Sequence, residues 1–418
     1  MTAAVNDCFA ADHDYLSTAE ALRLIEQRVS PVAETERVTL RAARGRVLGE
    51  DIVAPRDVPA FDNAAVDGYA FSANGRADTG GGALLIAGTA AAGHPFAGEA
   101  ADGTAIRIFT GAPMPRGTDT VAMQEDCTIE QGRVTLPAGL GHGDNRRRAG
   151  EDIRRGATVL TRGQRLRPQD VGVIASTGAA SVTVYRPIRV AVFSTGDEVI
   201  DPGSDLPPGA LYDSNRYMLA ALTESLAATV SDLGILADRL EAVRAALKDA
   251  APDHDLILTS GGVSVGGEDH VRAAVEDLGR LHFWRLAIKP GRPLAMGQIG
   301  AIPFVGIPGN PVAAMVTFLR FVRPLVLRLG GATTIAPHLF RVRADFEYRK
   351  KLNRREWLRA RLTRDPDGTL SAVKFAHDGS GILTSMVEAD GLIELPEDLA
   401  QVERGDSIDF LPFSEVLR

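Results

Sequence analysis

Two segments of the 418-residue chain combine hydroxyl, glycine and acid residues directly after apolar runs. Ser194-Thr195-Gly196-Asp197-Glu198 follows RVAVF, and Thr259-Ser260-Gly261-Gly262-Val263-Ser264-Val265-Gly266-Gly267-Glu268-Asp269 follows DLIL and precedes a helical pattern. Glycines in such turns let backbone N–H groups approach a ligand, and a helix N-terminus favours an anion such as phosphate. Glu198 and Asp269 could then hold a hard cation such as Mg²⁺ against that phosphate. The competing reading is a plain turn in which Asp269 caps the following helix. A third segment, Ala287-Ile288-Lys289-Pro290-Gly291-Arg292-Pro293, places Lys289 and Arg292 on a loop stiffened by proline, an arrangement suited to an anionic substrate. A fourth, Gly306-Ile307-Pro308-Gly309-Asn310-Pro311, ends a strand and enters a helix. One such loop could be a solvated turn; several at the strand ends of one sheet point to a site.

Other chemistries compete with phosphate binding. Gly262-Val263-Ser264-Val265-Gly266 matches the nucleophile elbow of α/β-hydrolases, and Asp277 and His338 follow in triad order. An elbow serine sits at the sharp turn straight after its strand, whereas here Gly261-Gly262 precede it and Gly266-Gly267 follow, giving a longer loop. No Lys follows a Gly, so there is no Walker A loop, and no G-x-G-x-x-G occurs. The eight His residues form no H-E-x-x-H and no tight cluster.

The elements that must position these residues change character along the chain. Residues 15 to 28 open with Ser17-Thr18 and Glu20, a capping signal, and continue as a short amphipathic helix. From about 36 to 187 short apolar runs are broken by Gly or Pro, which predicts a β-rich region with many turns. From about 188 strands alternate with helices: RVAVFST, a helix from about Ser214 to Ala227, TVSDLGI, LEAVRAALKDA, DLILTS, EDHVRAAVEDL, LHFWRLAI, PFVGI and a helix from about Val312. That alternation predicts an α/β fold with a doubly wound parallel sheet. After about 336 the helices stop and a small β unit is expected. In the β-rich region, Asp62 to Tyr69 and Arg107 to Pro115 read as polar turns, and Arg146 to Asp152 as a charged face. Residues 341 to 365 hold ten Lys/Arg against four Asp/Glu, read first as a solvated barrel face.

Composition narrows the class. Hydrophobic residues at 45% and charged residues at 24% exclude a disordered or fibrous chain. A formal charge of −8 gives no sign of a nucleic-acid binder. Two cysteines, Cys8 and Cys127, are too few for a disulfide framework, and a reducing cytoplasmic setting is expected. The first basic residue is Arg23, so a signal peptide is not expected, and no apolar run approaches the roughly 20 residues that span a bilayer. Val312 to Leu319 reads as a buried helix.

In this order DNAAVDGYA, RIFTGAPMP, RRAGEDI, FSTGDE, SNR, TSGGVSVG, AIKPGRP and GIPGNP resemble the molybdopterin molybdenumtransferases, whose eukaryotic members include the E domain of gephyrin. The resemblance spans essentially the whole chain and speaks against the hydrolase. It implies insertion of molybdenum from molybdate into adenylylated molybdopterin, with release of AMP and molybdenum cofactor in a Mg²⁺-dependent step. It also implies an elongated homodimer of four-domain subunits: 15–35 with 188–335 as the α/β molybdopterin-binding domain, 36–54 with 157–187 as a β-rich connecting domain, 55–156 as an inserted β-rich domain, and 336–418 as a C-terminal β-barrel. The site would form between the α/β domain of one subunit and the β-rich domain of the other.

By motif, the family's functional positions fall on Asp67, Thr110, Arg147, Asp152, Glu198, Asp238, Asp269, Lys289, Pro308 and Pro311, with Arg354 and Ser380 on the molybdate side. The binding loops would contribute Ser194, Thr195, Gly196, Ser260, Gly261, Gly262, Ser264, Gly266 and Arg292. Arg285 stands where the family often has Lys, replacing a compact ammonium by a planar fork. On this reading Glu198 and Asp269 hold Mg²⁺ with Asp152 and Asp67 in support, Lys289 neutralises phosphate charge, and Thr110 positions the ligand. A homodimer in contact with the molybdopterin adenylyltransferase is implied, with neither nucleic acid nor membrane as partner. The alternatives are a tungsten-inserting variant, a pterin-binding paralogue without turnover, and a receptor-clustering scaffold. The scaffold role goes with an extra N-terminal domain and a long linker, neither of which is expected here, so it is the less expected alternative.

Overall fold

A computed structural model describes residues 7–10, 15–31, 34–73, 83–261, 269–291 and 293–417. Gly262, Ser264, Gly266 and Arg292 lie outside the described residues, and of Arg285 only the backbone is described.

RVAVFST forms the strand Arg189–Thr195, an inner strand of a seven-stranded sheet. Its period-two alternation supplies both faces at once. Val190 and Val192 pack into a large core with Leu219 and Leu222 of the helix Ser214–Glu224. Ala191 and Phe193 pack on the other side with Val243 and Leu247 of Leu240–Ala250 and with Val271 and Val275 of His270–Leu278. Helices on both faces make the sheet doubly wound. Its strand order is Tyr15–Leu16, Gly279–Leu286, Pro293–Ile299, Ile302–Ile307, Leu256–Ser260, Arg189–Thr195, Thr229–Leu236.

Four of these strands (229–236, 189–195, 256–260 and 302–307) run parallel, so their C-terminal ends reach one edge. The sheet is mixed, however, because Pro293–Ile299 runs antiparallel to both of its neighbours. That strand was not expected from sequence. PLAMGQI lacks β-branched alternation and contains Gly297, so its only signal is the turn at Gly300, where φ is +60° and Ile299 pairs with Ile302.

The N-terminal helix Thr18–Arg28 starts with the expected capping box: Glu20 N donates to Ser17 Oγ at 3.2 Å, and Ser17 N donates to the Glu20 carboxylate at 2.8 Å. Ser17→Ala is expected to lower stability by about 1 kcal/mol, read as a shifted denaturant midpoint with an unchanged slope.

Residues 36 to 187 are mainly β, as expected. Thr35–Thr39 pairs antiparallel with Ser181–Tyr185. A separate six-stranded sheet runs in the order 120–123, 68–71, 104–108, 83–90, 133–135, 128–130. The helix Pro168–Ser176 is an addition to the sequence reading, signalled by Pro168 in its first turn and by Arg167 and Asp170 in a capping arrangement. Beyond 336, the strands 340–344, 355–364, 370–374, 391–395 and 407–412 close into a barrel, since 355–364 pairs with both 370–374 and 391–395. Helices do not stop entirely there: Thr384–Glu388 and Phe413–Val416 are short ones. Pro311–Thr317, a π-helical turn Phe318–Val322 and Arg323–Leu329 form one buried helical run. Among the described residues, no helix is long and apolar enough to cross a membrane.

Candidate functional site

The parallel strands end around a cavity of about 870 Å³. Ser194 and Thr195 come from the end of Arg189–Thr195, Ser260 from the end of Leu256–Ser260, and Asp238 from just beyond Thr229–Leu236. Gly196, Glu198, Gly261, Asp269 and Pro311 complete the sequence-predicted part of its lining. Gly196 has φ +132°, and a Cβ there would lie 2.7 Å from the Glu198 carboxylate, so the turn that folds Glu198 back over the strand end needs glycine. Gly261, at φ +79°, makes the matching turn after Ser260, its N–H donating to Ile307 O at 3.0 Å.

Polar groups in this cavity are positioned and incompletely paired. Thr195 Oγ1 donates to Asp238 Oδ1 at 3.3 Å. Asn215, in the first turn of Ser214–Glu224, donates through Nδ2 to Ser260 Oγ at 2.9 Å and to Gly309 O at 2.6 Å. Its Oδ1 and the Oγ of Ser194, both buried in residues lining the cavity, have no partner among the described residues. Buried polar atoms without partners are uncommon and suit a bound polar molecule. Asp269 does cap its helix, Oδ1 accepting from Arg272 N at 2.9 Å, and it also lines the cavity. Asp213 caps Ser214–Glu224 in the same way and pairs with buried Arg216 at 2.9 Å. Two helix N-termini thus meet the cavity wall, favouring an anion there.

The donors suit a hard cation: carboxylates of Glu198, Asp238 and Asp269 with hydroxyl and amide oxygens. Among the described residues no three His, Cys, Asp or Glu side chains converge closely enough to hold a metal by themselves.

A second cavity, of about 400 Å³, is lined by Lys289, Pro308, Arg354, Asp378 and Ser380 and shares Asn310 with the first. Lys289 Nζ donates to the Tyr348 hydroxyl at 3.0 Å and lies 3.6 Å from Glu356 and 3.8 Å from Asp378. Burial disfavours its charged form, but Tyr348, Glu356 and Asp378 outweigh that, and its pKa is raised above the ordinary lysine value. Burial likewise pushes the Asp378 carboxyl up, while Lys374, Lys289 and Arg359 bring it below the usual range. Arg359, buried in the barrel, grips the loop carrying Asp378 and Ser380 by donating to His377 O at 2.6 Å and Gly379 O at 3.1 Å. Two cations, Lys289 and Arg354, therefore line this cavity, with the Asp378 carboxylate at its edge.

The remaining sequence-predicted residues stand apart on the 55–156 module. Asp67 Oδ1 accepts from both the backbone N and the hydroxyl of Thr110, each at 2.7 Å, and those bonds hold its carboxyl below the usual range. Arg147 pairs with Asn63 across a short ladder, and Asp152 is exposed with its N–H donating to Val58 O at 3.1 Å. None of these four lines either cavity of its own chain. Asp277, the acid of the hydrolase alternative, pairs with Arg244 at 2.8 Å.

Tyr348, Glu356 and Asp378 were not singled out from sequence, and Asn215 and Asn310 appeared there only within the motifs SNR and GIPGNP, with no role of their own. Asp213-Ser214-Asn215 is a helix-cap signal that could have drawn attention to Asn215. Glu356 carried none, because it lies within the basic stretch read as a solvated face.

Comparison with known families matches the MoeA N-terminal region (domain I and II) to residues 16–178, a probable molybdopterin binding domain to 191–328, and the MoeA C-terminal region (domain IV) to 341–413. A molybdopterin molybdenumtransferase of Haemophilus influenzae is 38% identical over 398 residues, covering 94% of this chain and 98% of that protein. Molybdopterin molybdenumtransferase 2 of Mycobacterium tuberculosis is 35% identical over 406 residues, covering 93% and 98%. Among solved structures, the molybdopterin biosynthesis moeA protein of Pyrococcus horikoshii superposes with a TM-score of 0.80 at 29% identity, covering 95% of this chain and 99% of that one.

Proposed function

Because this chain belongs to the molybdopterin molybdenumtransferase family, an enzyme family of molybdenum cofactor biosynthesis, we propose that it takes adenylylated molybdopterin and molybdate to molybdenum cofactor and AMP through its two joined cavities. The observation that carries the reading is their contiguity at Asn310: a large cavity with acids and helix N-termini beside a small cationic one. The large cavity has the character a pterin diphosphate requires, and the small one suits a tetrahedral dianion, held by Lys289, Arg354 and Ser380. Glu198 and Asp269 would hold Mg²⁺, which when bound supplies charge neutralisation on the diphosphate. Ser194 and Asn215 offer the ligand hydrogen bonds that the described residues leave unmade. The substrate's dithiolene sulfurs take the molybdenum, so the chain's own cysteines need no part in binding it.

The same reading makes the protein a cytoplasmic homodimer supplied by the molybdopterin adenylyltransferase. The support for a dimer is that Asp67, Thr110, Arg147 and Asp152 do not line their own chain's cavities, so their part in the reaction calls for a second subunit. Incubating the protein with adenylylated molybdopterin, Mg²⁺ and either molybdate or tungstate, and quantifying AMP and cofactor, tests the reaction and the metal preference together. Absence of AMP release under all these conditions would overturn it.

Lys289→Ala is expected to weaken adenylylated molybdopterin and molybdate by about 1.5–3 kcal/mol each, the worth of one charge-assisted contact, while sparing a dephosphorylated pterin. Calorimetric titration with the three ligands checks this, and equal weakening of all three would make Lys289 a structural residue.

A further inference from the structure

The two cations of the small cavity come from different domains and meet on one carboxylate. Lys289 lies opposite Glu356 in the two-residue parallel ladder that joins the α/β domain to the barrel strand Arg355–Arg364. Glu356 is fully buried. Its Oε1 accepts from Arg354 Nε at 3.0 Å and from Arg354 Nη2. Its Oε2 accepts from the Tyr348 hydroxyl at 2.8 Å, and Tyr348 in turn accepts from Lys289. Alternate residues of the strand turn away from this cluster: Arg355 and Trp357 bond Glu394 instead. A carboxylate buried this deeply persists only with charged and hydrogen-bonding partners, and here those partners are residues that line the cavity or bond to one.

We propose that Glu356 is a positioning residue of the oxyanion subsite, aiming Lys289 and Arg354 at one point while restraining how tightly they hold the anion. The proposal rests on the reading of this cavity as the molybdate side. A negative charge within hydrogen-bonding range of Arg354 and 3.6 Å from Lys289 offsets part of their attraction for a dianion. Without that restraint the free oxyanion would be bound more tightly than the state in which the metal is being transferred, and such ground-state affinity slows turnover.

Glu356→Gln separates this role from simple support. The amide oxygen can still accept from Arg354 and the amide NH₂ can donate to the Tyr348 oxygen, whose own O–H then rotates away, so the side chain keeps its shape and its link to both neighbours while the charge is lost. Molybdate, titrated calorimetrically into the full-length protein, is expected to bind Glu356→Gln at least about tenfold tighter than wild type, with kcat and the KM for molybdate both reduced. Tyr348→Phe keeps the charge but cuts the tether to Lys289, and is expected to weaken molybdate several-fold. Arg354→Ala is the control for the site. Wild-type protein that does not bind molybdate, or binds it equally well with Arg354→Ala, would overturn the reading of the cavity itself. Arg354-dependent binding that Glu356→Gln leaves unchanged or weakens would overturn the role of Glu356. If Glu356→Gln does not fold, unchanged or tighter binding by Tyr348→Phe would do the same.

Discussion

Glu198→Gln and Asp269→Asn are each expected to reduce AMP release at least about 10²-fold at limiting Mg²⁺, the scale of effect seen when a positioned charge opposite a reacting phosphate is lost. The structure makes these substitutions clean. Glu198 is exposed at the cavity wall, and loss of its charge breaks no packing. Asp269 caps the helix His270–Leu278, and asparagine caps a helix about as well, so Asp269→Asn leaves the fold in place while removing the charge. Raising Mg²⁺ should recover part of the lost rate, because a weakened cation site is filled by mass action. Quantifying AMP across a Mg²⁺ series measures both effects. Near-wild-type release from both variants at limiting Mg²⁺ would take these acids out of the metal site. Release that stays low at every Mg²⁺ concentration would give them another task, such as orienting the pterin.

The sheet was legible because RVAVFST and DLILTS are apolar on both faces, a pattern that only helices on both sides can bury. The positions of Ser194, Thr195, Glu198, Asp238, Ser260 and Asp269 around one cavity follow from it, since parallel strands bring their C-terminal ends to one edge. The antiparallel strand Pro293–Ile299 was hidden because its pairing depends on neighbours in the sheet rather than on its own alternation.

The barrel shows the larger limit. Its ten cations between 341 and 365 look like a basic face in sequence, yet four of them are paired with acids well separated in the chain: Arg341 with Asp409, Arg343 with Asp365 and Asp367, Arg355 with Glu394 and Glu397, Arg361 with Glu388. A linear count of charges cannot pair residues that the barrel brings together from its opposite strands. Glu356 was overlooked for the same reason, and with it the link that joins Lys289 to Arg354. Arg354 and Ser380 were expected at the site only through family resemblance, and the structure sets both in the same cavity as Lys289.

A mixed dimer of Asp67→Ala and Glu198→Gln subunits is expected to regain about half of wild-type AMP release, although each variant alone is nearly inactive. The premise is a proposed homodimer whose sites each use the strand-end cavity of one chain and the Asp67–Thr110 module of the other. Asp67 is suited to such a role. Its carboxylate is half-buried, fixed by two hydrogen bonds from Thr110 that keep it ionised, yet it lines neither cavity of its own chain. Gly68 locks that presentation: a Cβ there would fall 1.9 Å from Ala122 O, so the strand Gly68–Phe71 sits hard against its neighbour and fixes the residue just before it. Two-fold pairing makes the two sites identical. In the mixed dimer one site then carries both substitutions and the other carries neither, which sets the recovery at about one half. If each chain completed its own site, both sites would keep one damaged residue and mixing would restore nothing. Subunits bearing two different tags, co-expressed and purified through both, give the mixed species without either parent. AMP release from that species at the level of the parents would sink the shared site, and Asp67 and Thr110 would then be a structural pair on an independent module.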